Sequence, residues 1–178
     1  LALAFYFLNF TLPFHNIWPT LAITTRHELS VEIAVLIFVL AMYSRFIRPV
    51  STRTLTVLAL LLTVMTIARY IEVTSPALFG RSVNLYWDAK YIPHVTEMLI
   101  EVANPLMVIL IFAGGILSLA GIFISLRLAL KRISTSLANT VEQRAIATIM
   151  GVMILIFAAG YSGLPLQRVI MYSIPITK

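Results

Sequence analysis

The stretch VANPLMVILIFAGGILSLAGIFISL, residues 102–126, contains no charged side chain. A helix needs about 20 mainly apolar residues to cross the ~30 Å hydrocarbon core of a bilayer, because each residue rises about 1.5 Å. The whole chain is 60% hydrophobic and only 11% charged, whereas soluble domains carry about 25% charged residues. Lipid is therefore the solvent expected around most of this chain.

Several other segments reach the same length with few charges. We expect an all-α, polytopic membrane protein: a bundle of about five transmembrane helices with one interfacial amphipathic segment, forming a single transmembrane domain over residues 1–178. The spans are predicted at 1–25, 29–47, 54–71, 103–127 and 145–163, and the interfacial segment at 75–101. The chain begins and ends without a cap or a soluble domain, so we expect it to be a fragment of a longer protein.

The net charge of +6 comes from cations in short connections between the apolar runs. Membrane lipids are therefore the expected partners, and nucleic acid is not. By the positive-inside rule these connections are cytoplasmic, which predicts an integral protein of the bacterial inner membrane with its N-terminus cytoplasmic and its C-terminus outside. The cations in question are Arg45, Arg48, Arg53, Arg127, Lys131, Arg132 and Arg144.

The stretch FGRSVNLYWDAKYIPHV, residues 79–95, combines polar and aromatic side chains between apolar segments. Tyr and Trp favour the headgroup level of a membrane, so we place this stretch flat on the outer surface. Pro76 and Gly80 are expected to end the third span, and Pro93 to break or begin a helix. The stretch either anchors the bundle or contacts a lipid headgroup or a following domain. The contact candidates are Arg81, Asn84, Tyr86, Trp87 and Asp88.

Polar residues inside the predicted spans form a second group of candidates: Asn9, His15, Arg69 and Glu72. Arg69 and Glu72 are three residues apart, and we expect them to form a structural ion pair. Asn9 and His15 accompany helix-kinking prolines, so they line either a polar cleft entered by a lipid headgroup or a packed bundle interior. Small residues of the fourth and fifth spans, among them Gly114, Gly115 and Gly151, are expected to permit close helix contact.

Catalytic signatures are not found in this sequence. His94, Glu97 and Glu101 could share one helical face, but a solvated face is favoured over a metal site for this combination. Cysteine is absent, which excludes thiolate chemistry. We therefore assign no catalytic residue, no metal ligand and no cofactor within the chain, and whether it belongs to an enzyme stays open.

The stretch RYIEVTSPALFGRSVNLYWDAKYIPHV, residues 69–95, resembles a junction in bacterial sulfatase-like proteins of the alkaline phosphatase superfamily. The predicted topology is also similar to the membrane domain of phosphoethanolamine transferases and lipoteichoic acid synthases in that superfamily. The resemblance implies a membrane-anchoring, lipid-presenting domain of an envelope lipid-modifying protein. It also implies a catalytic domain after Lys178, which would carry the divalent metal and the nucleophile.

Two alternatives to this interpretation remain from the sequence. The first is a non-catalytic accessory subunit packed against a larger membrane protein complex, which the small-residue faces favour. The second is a small transporter or channel, which is disfavoured because no span is rich in paired polar residues.

Overall fold

The computed structural model describes residues 2–18, 20–25, 29–47, 49–161 and 171–172. Helix is the dominant structure, which confirms the all-α class. The helices are α1 (Ala2–Phe10), α2 (Val31–Phe46), α3 (Thr52–Phe79), α4 (Leu85–Asp88), α5 (Ile92–Val102), α6 (Pro105–Ser136) and α7 (Thr140–Tyr161), with a 3-10 turn at Ala89–Tyr91. Four short strands were not predicted: β1 (Phe14–Asn16), β2 (Ile23–Thr25), β3 (Leu29–Ser30) and β4 (Met171–Tyr172).

Within the described part of the chain, three helices are long and apolar enough to cross a bilayer: α3, α6 and the Thr140–Ala159 part of α7. They match the third, fourth and fifth predicted spans, except that residues 162 and 163 lie outside the described residues. Helix α2 has 16 residues and rises about 24 Å, which is short of the ~30 Å hydrocarbon core. The predicted number of five spans is therefore not confirmed.

The segment predicted as the first span is not one helix, which corrects the boundary 1–25. Helix α1 stops at Phe10, and the chain then turns into an antiparallel hairpin in which Phe14 of β1 faces Thr25 of β2. Thr11 Oγ1 donates to the carbonyl of Leu8 at 2.7 Å, and Pro13 has no N–H with which to continue a helix. Hydropathy alone does not predict these two local effects.

The long helices pack as antiparallel neighbours, α2 against α7 and α3 against α6, while α1 packs on α6. Gln143 Nε2 of α7 reaches the carbonyl of Ala41 in α2 at 3.1 Å. The short connections place the end of α2, the start of α3, the end of α6 and the start of α7 together. We name this the cationic end, because it carries Arg45, Arg53, Arg127, Lys131, Arg132 and Arg144.

The buried core is formed by residues of α1, α2, α3, α7 and the second half of α6, together with Leu12 after α1 and Leu137 after α6. Its most enclosed residues include Ile33 and Ile37 of α2 and Leu126, Leu130 and Ile133 of α6. By contrast, the first half of α6 contributes no buried residue, since its buried positions begin at Leu126. Most of its apolar surface is therefore exposed to the surroundings of the bundle.

Capping residues explain where α3 begins and ends. Ser51 Oγ accepts from the Thr54 N–H at 3.1 Å, as an N-cap residue does. Gly80 ends the helix in the left-handed conformation, with φ of 67°, which glycine adopts without steric cost. Pro76 lies inside α3, so the expectation that it would help to stop the helix is wrong. Pro93 does occupy the first turn of α5, as predicted.

Candidate functional site

Arg81, Asn84 and Asp88 form a polar cluster in the loop after α3. The guanidinium of Arg81 donates twice to the carboxylate of Asp88, at 2.7 and 3.1 Å. The Asn84 N–H donates to the same carboxylate at 2.8 Å. The hydrogen bonds from Arg81 and from the Asn84 N–H hold the pKa of Asp88 below its usual value. The hydrogen bond to Asp88 raises the pKa of Arg81.

The aromatic residues of the same stretch surround the next cation along the chain. Asn84 Oδ1 accepts from the backbone N–H groups of Tyr86 and Trp87 at 3.1 and 3.4 Å and so begins the short helix α4. Lys90 Nζ lies 5.0 Å from the centre of the Tyr86 ring and 4.7 Å from the Trp87 ring, within the range of cation–π attraction. Both rings remain exposed, Tyr86 at 70% and Trp87 at 58%.

The five predicted contact residues are therefore brought together, but mainly to contact one another. The charges of Arg81 and Asp88 are matched within the cluster, and the outward surface is aromatic, with Lys90 stacked on it. Lys90 was not among the predicted contact residues, although its spacing of three and four residues from Trp87 and Tyr86 is the helical-neighbour signal that could have identified it.

The predicted intramembrane polar residues have structural partners. Arg69 and Glu72 form the expected ion pair at 2.8 Å, with side chains 6% and 36% exposed. Asn9 Oδ1 accepts from the Ser30 N–H at 2.7 Å and thereby ties α1 to the start of α2. His15 lies in β1 opposite Thr24.

His94 and Glu97 lie 3.6 Å apart on the exposed face of α5. Glu101, one turn further along, does not join them, since the described residues contain no group of three His, Cys, Asp or Glu side chains that could hold a metal ion.

One large cavity was not predicted. It has a volume of about 670 Å³ and lies between α1, the β1–β2 hairpin, α3 and α6, and this volume is within the ~300–1,000 Å³ of typical ligand pockets. Phe7 and Phe10 of α1, Ile67 of α3 and Leu119 of α6 are among its walls. We call it the apolar cavity. None of the four intramembrane polar candidates lines it.

The hydroxyl groups in the walls of the apolar cavity are engaged by backbone carbonyls. Thr66 donates to Leu62 at 2.8 Å and Ser118 to Gly114 at 2.8 Å. Tyr70 reaches the carbonyl of Leu21 at 3.2 Å and thereby fastens the hairpin region to α3. Thr11, the fourth such residue, donates to its own preceding turn, as described above. These bonds use the hydroxyl protons, so the cavity presents a hydrocarbon-like surface to an occupant.

Gly115 supplies part of the space in the apolar cavity. It lines the cavity, and a Cβ placed on it would meet no atom within 4 Å. The neighbouring Gly114 is equally open but does not line the cavity. The walls come from four separate elements, so no local sequence pattern contains them.

These features define a helical membrane protein with an apolar cavity. Comparison of the chain with protein-family models, with curated proteins and with solved structures gave no match in any of the three.

Proposed function

We propose that this chain is a membrane-anchoring domain that presents a lipid, with an acyl chain held in the apolar cavity and the headgroup at the level of residues 80–102. The apolar cavity carries this proposal, because its walls are mainly apolar and the hydroxyl protons in them are already bonded to backbone carbonyls, which favours an apolar occupant. Phe7, Phe10 and Leu119 in its walls are partly exposed on the outside of the bundle, which favours entry of an acyl chain from the bilayer.

The distances along α3 fit such an occupant. Tyr70, at the cavity, lies about 14 Å from Phe79 at the end of the helix. This is close to half of the ~30 Å hydrocarbon core. A lipid with its headgroup beside the exposed rings of Tyr86 and Trp87 would therefore reach the cavity with its acyl chain.

The orientation and wider role follow from charge and from the resemblance of residues 69–95. The cationic end faces the cytoplasm and residues 80–102 face outward across the bacterial inner membrane. A sulfatase-like or phospho-headgroup transferase domain following Lys178 then acts on the presented lipid, and any divalent metal belongs to that domain. The positive-inside distribution of cations and the resemblance support this assignment.

A cavity-filling variant tests lipid presentation. The protein is reconstituted with a phospholipid that carries a photoreactive group on its acyl chain, and the labelled peptides are mapped by mass spectrometry. We expect labelling of peptides containing Phe7–Phe14 and Thr66–Tyr70, and its loss in Gly115→Leu. Gly114→Leu is the matched control, because it makes the same change one residue away from the cavity wall. Equal labelling of these peptides in both variants would contradict the proposal.

One observation favours the accessory-subunit function as a second candidate. The expectation that Gly114 and Gly115 permit helix contact is not met within the described part of the chain, and Gly121 is open as well. Small residues on an exposed face allow a helix of another protein to approach closely. Loss of co-purifying subunits in Gly121→Leu, with cavity labelling retained, would support this candidate instead.

A further inference from the structure

A second cavity lies at the cationic end of the bundle, between the start of α3 and the second half of α6. It encloses about 300 Å³ and is lined by Thr52, Leu55, Ile124, Arg127, Leu128 and Lys131. It shares no lining residue with the apolar cavity, whose wall on α3 begins at Thr66, about 16 Å along the helix from Leu55, and it is remote from residues 80–102.

The second cavity is lined by two cationic side chains and by several apolar side chains. Arg127 and Lys131 are one helical turn apart, so their side chains extend from the same face of α6. Leu55 is buried, whereas Ile124 and Leu128 are exposed on the surface of the helix. A cationic rim beside an apolar wall matches the boundary between lipid headgroups and acyl chains.

The two charges in the second cavity have no carboxylate partner in the part of the chain that the structure describes. Among the described residues, neither Arg127 nor Lys131 makes an ion pair with a carboxylate. This distinguishes them from Arg69 and Arg81, each of which is held by a carboxylate. The cavity therefore combines two uncompensated cations with space for an anion between helices.

The geometry points to a binding site for the phosphate of an anionic phospholipid at this cavity. Arg127 and Lys131 contact the phosphate, and an acyl chain runs along Ile124 and Leu128. A soluble phosphate offers the same anionic group, but only a lipid also has an acyl chain that can contact the apolar wall. The lipid is recognised at the cytoplasmic leaflet, where anionic headgroups attract basic residues.

Native mass spectrometry of the purified protein with phosphatidylglycerol tests this site. We expect the double variant Arg127→Gln/Lys131→Gln to bind phosphatidylglycerol about 30-fold more weakly, because it loses two direct contacts to the phosphate. The control is Arg132→Gln/Arg144→Gln, which removes the same charge from exposed positions at the same end that do not line the cavity. The control is expected to bind like the unmodified protein.

Three further outcomes would overturn the assignment. If both double variants lose phosphatidylglycerol equally, or neither loses it, the cationic end attracts lipid only through its overall charge or not at all. If inorganic phosphate displaces the lipid from the unmodified protein, the site takes a soluble anion. Phosphatidylcholine, which has no net charge, should bind all three proteins equally weakly.

Discussion

At the scale of single residues, charged side chains outside the cationic end are mostly matched by a neighbour. Asp88 is the centre of one such arrangement, because it accepts from Arg81 twice and from the Asn84 N–H. The ionised carboxylate of Asp88 accepts these hydrogen bonds, so they stabilise the loop only while the carboxylate is charged. The loop should therefore respond to acid.

The sign of that response follows from the lowered pKa of Asp88. The stabilisation is fully present above the unfolded-state pKa of about 3.9, and it is lost as the pH falls through the lower folded-state pKa. We expect amide hydrogen exchange in residues 84–91, corrected for its intrinsic pH dependence, to stay constant down to about pH 5 and to accelerate below about pH 4.

Asp88→Asn should show accelerated exchange in the same loop already at neutral pH, because it removes the charge and keeps the shape. Glu97→Gln is the control, because Glu97 is exposed and its carboxylate lies 3.6 Å from His94, outside the loop of residues 84–91. A loop that keeps its protection in Asp88→Asn would mean that this carboxylate does not hold it together.

At the scale of elements, α2 and α7 are held together by a close approach at one glycine. A Cβ on Gly151 would lie 3.3 Å from Cε2 of the Phe38 ring, so even a methyl group would require the ring to shift by a few tenths of an ångström, and a larger side chain would require more. Here the expectation that Gly151 permits close helix contact is confirmed. It applies to α7 but not to the open glycines of α6.

Gly151→Leu should therefore lower the stability of the bundle by about 1–3 kcal/mol, the usual cost of overpacking a filled contact. Thermal unfolding in detergent measures this loss. Gly114→Leu, on an open face, should leave the midpoint unchanged or raise it slightly through helix propensity. Adding Phe38→Ala to Gly151→Leu should restore part of the stability, and a failure to do so would place the strain elsewhere.

Some of these elements could be predicted from the sequence, and others could not. The spans α3, α6 and α7 were predictable because a continuous apolar run of bilayer length has few other uses. Residues 1–25 were not, because Pro13 and Thr11 act locally within an apolar composition. The Arg69–Glu72 pair follows from helical spacing alone. The apolar cavity could not be anticipated, since its walls are contributed by four elements whose packing the linear pattern does not specify.

At the scale of the whole molecule, the two ends of the bundle differ in chemistry. One end carries the arginines and lysines of the short connections, and the other carries residues 80–102, with their paired charges and exposed aromatic rings. Helices α3, α6 and α7 separate the two ends by a bilayer-length distance. The positive-inside rule then predicts that the cationic end is cytoplasmic.

Cysteine labelling tests this orientation without a background signal from other positions of the chain, because the chain has no cysteine of its own. Ser82→Cys and Ala138→Cys place a thiol at exposed positions on opposite ends. A membrane-impermeant maleimide applied to intact spheroplasts should modify position 82 at once and position 138 only after permeabilisation. Since both changes introduce a small side chain at an exposed position outside the helices, both variants should fold alike. Labelling in the reverse order would mean that the orientation of the bundle is opposite to the predicted one. Residues 80–102 would then face the cytoplasm and could not present a lipid to a catalytic domain on the outer face.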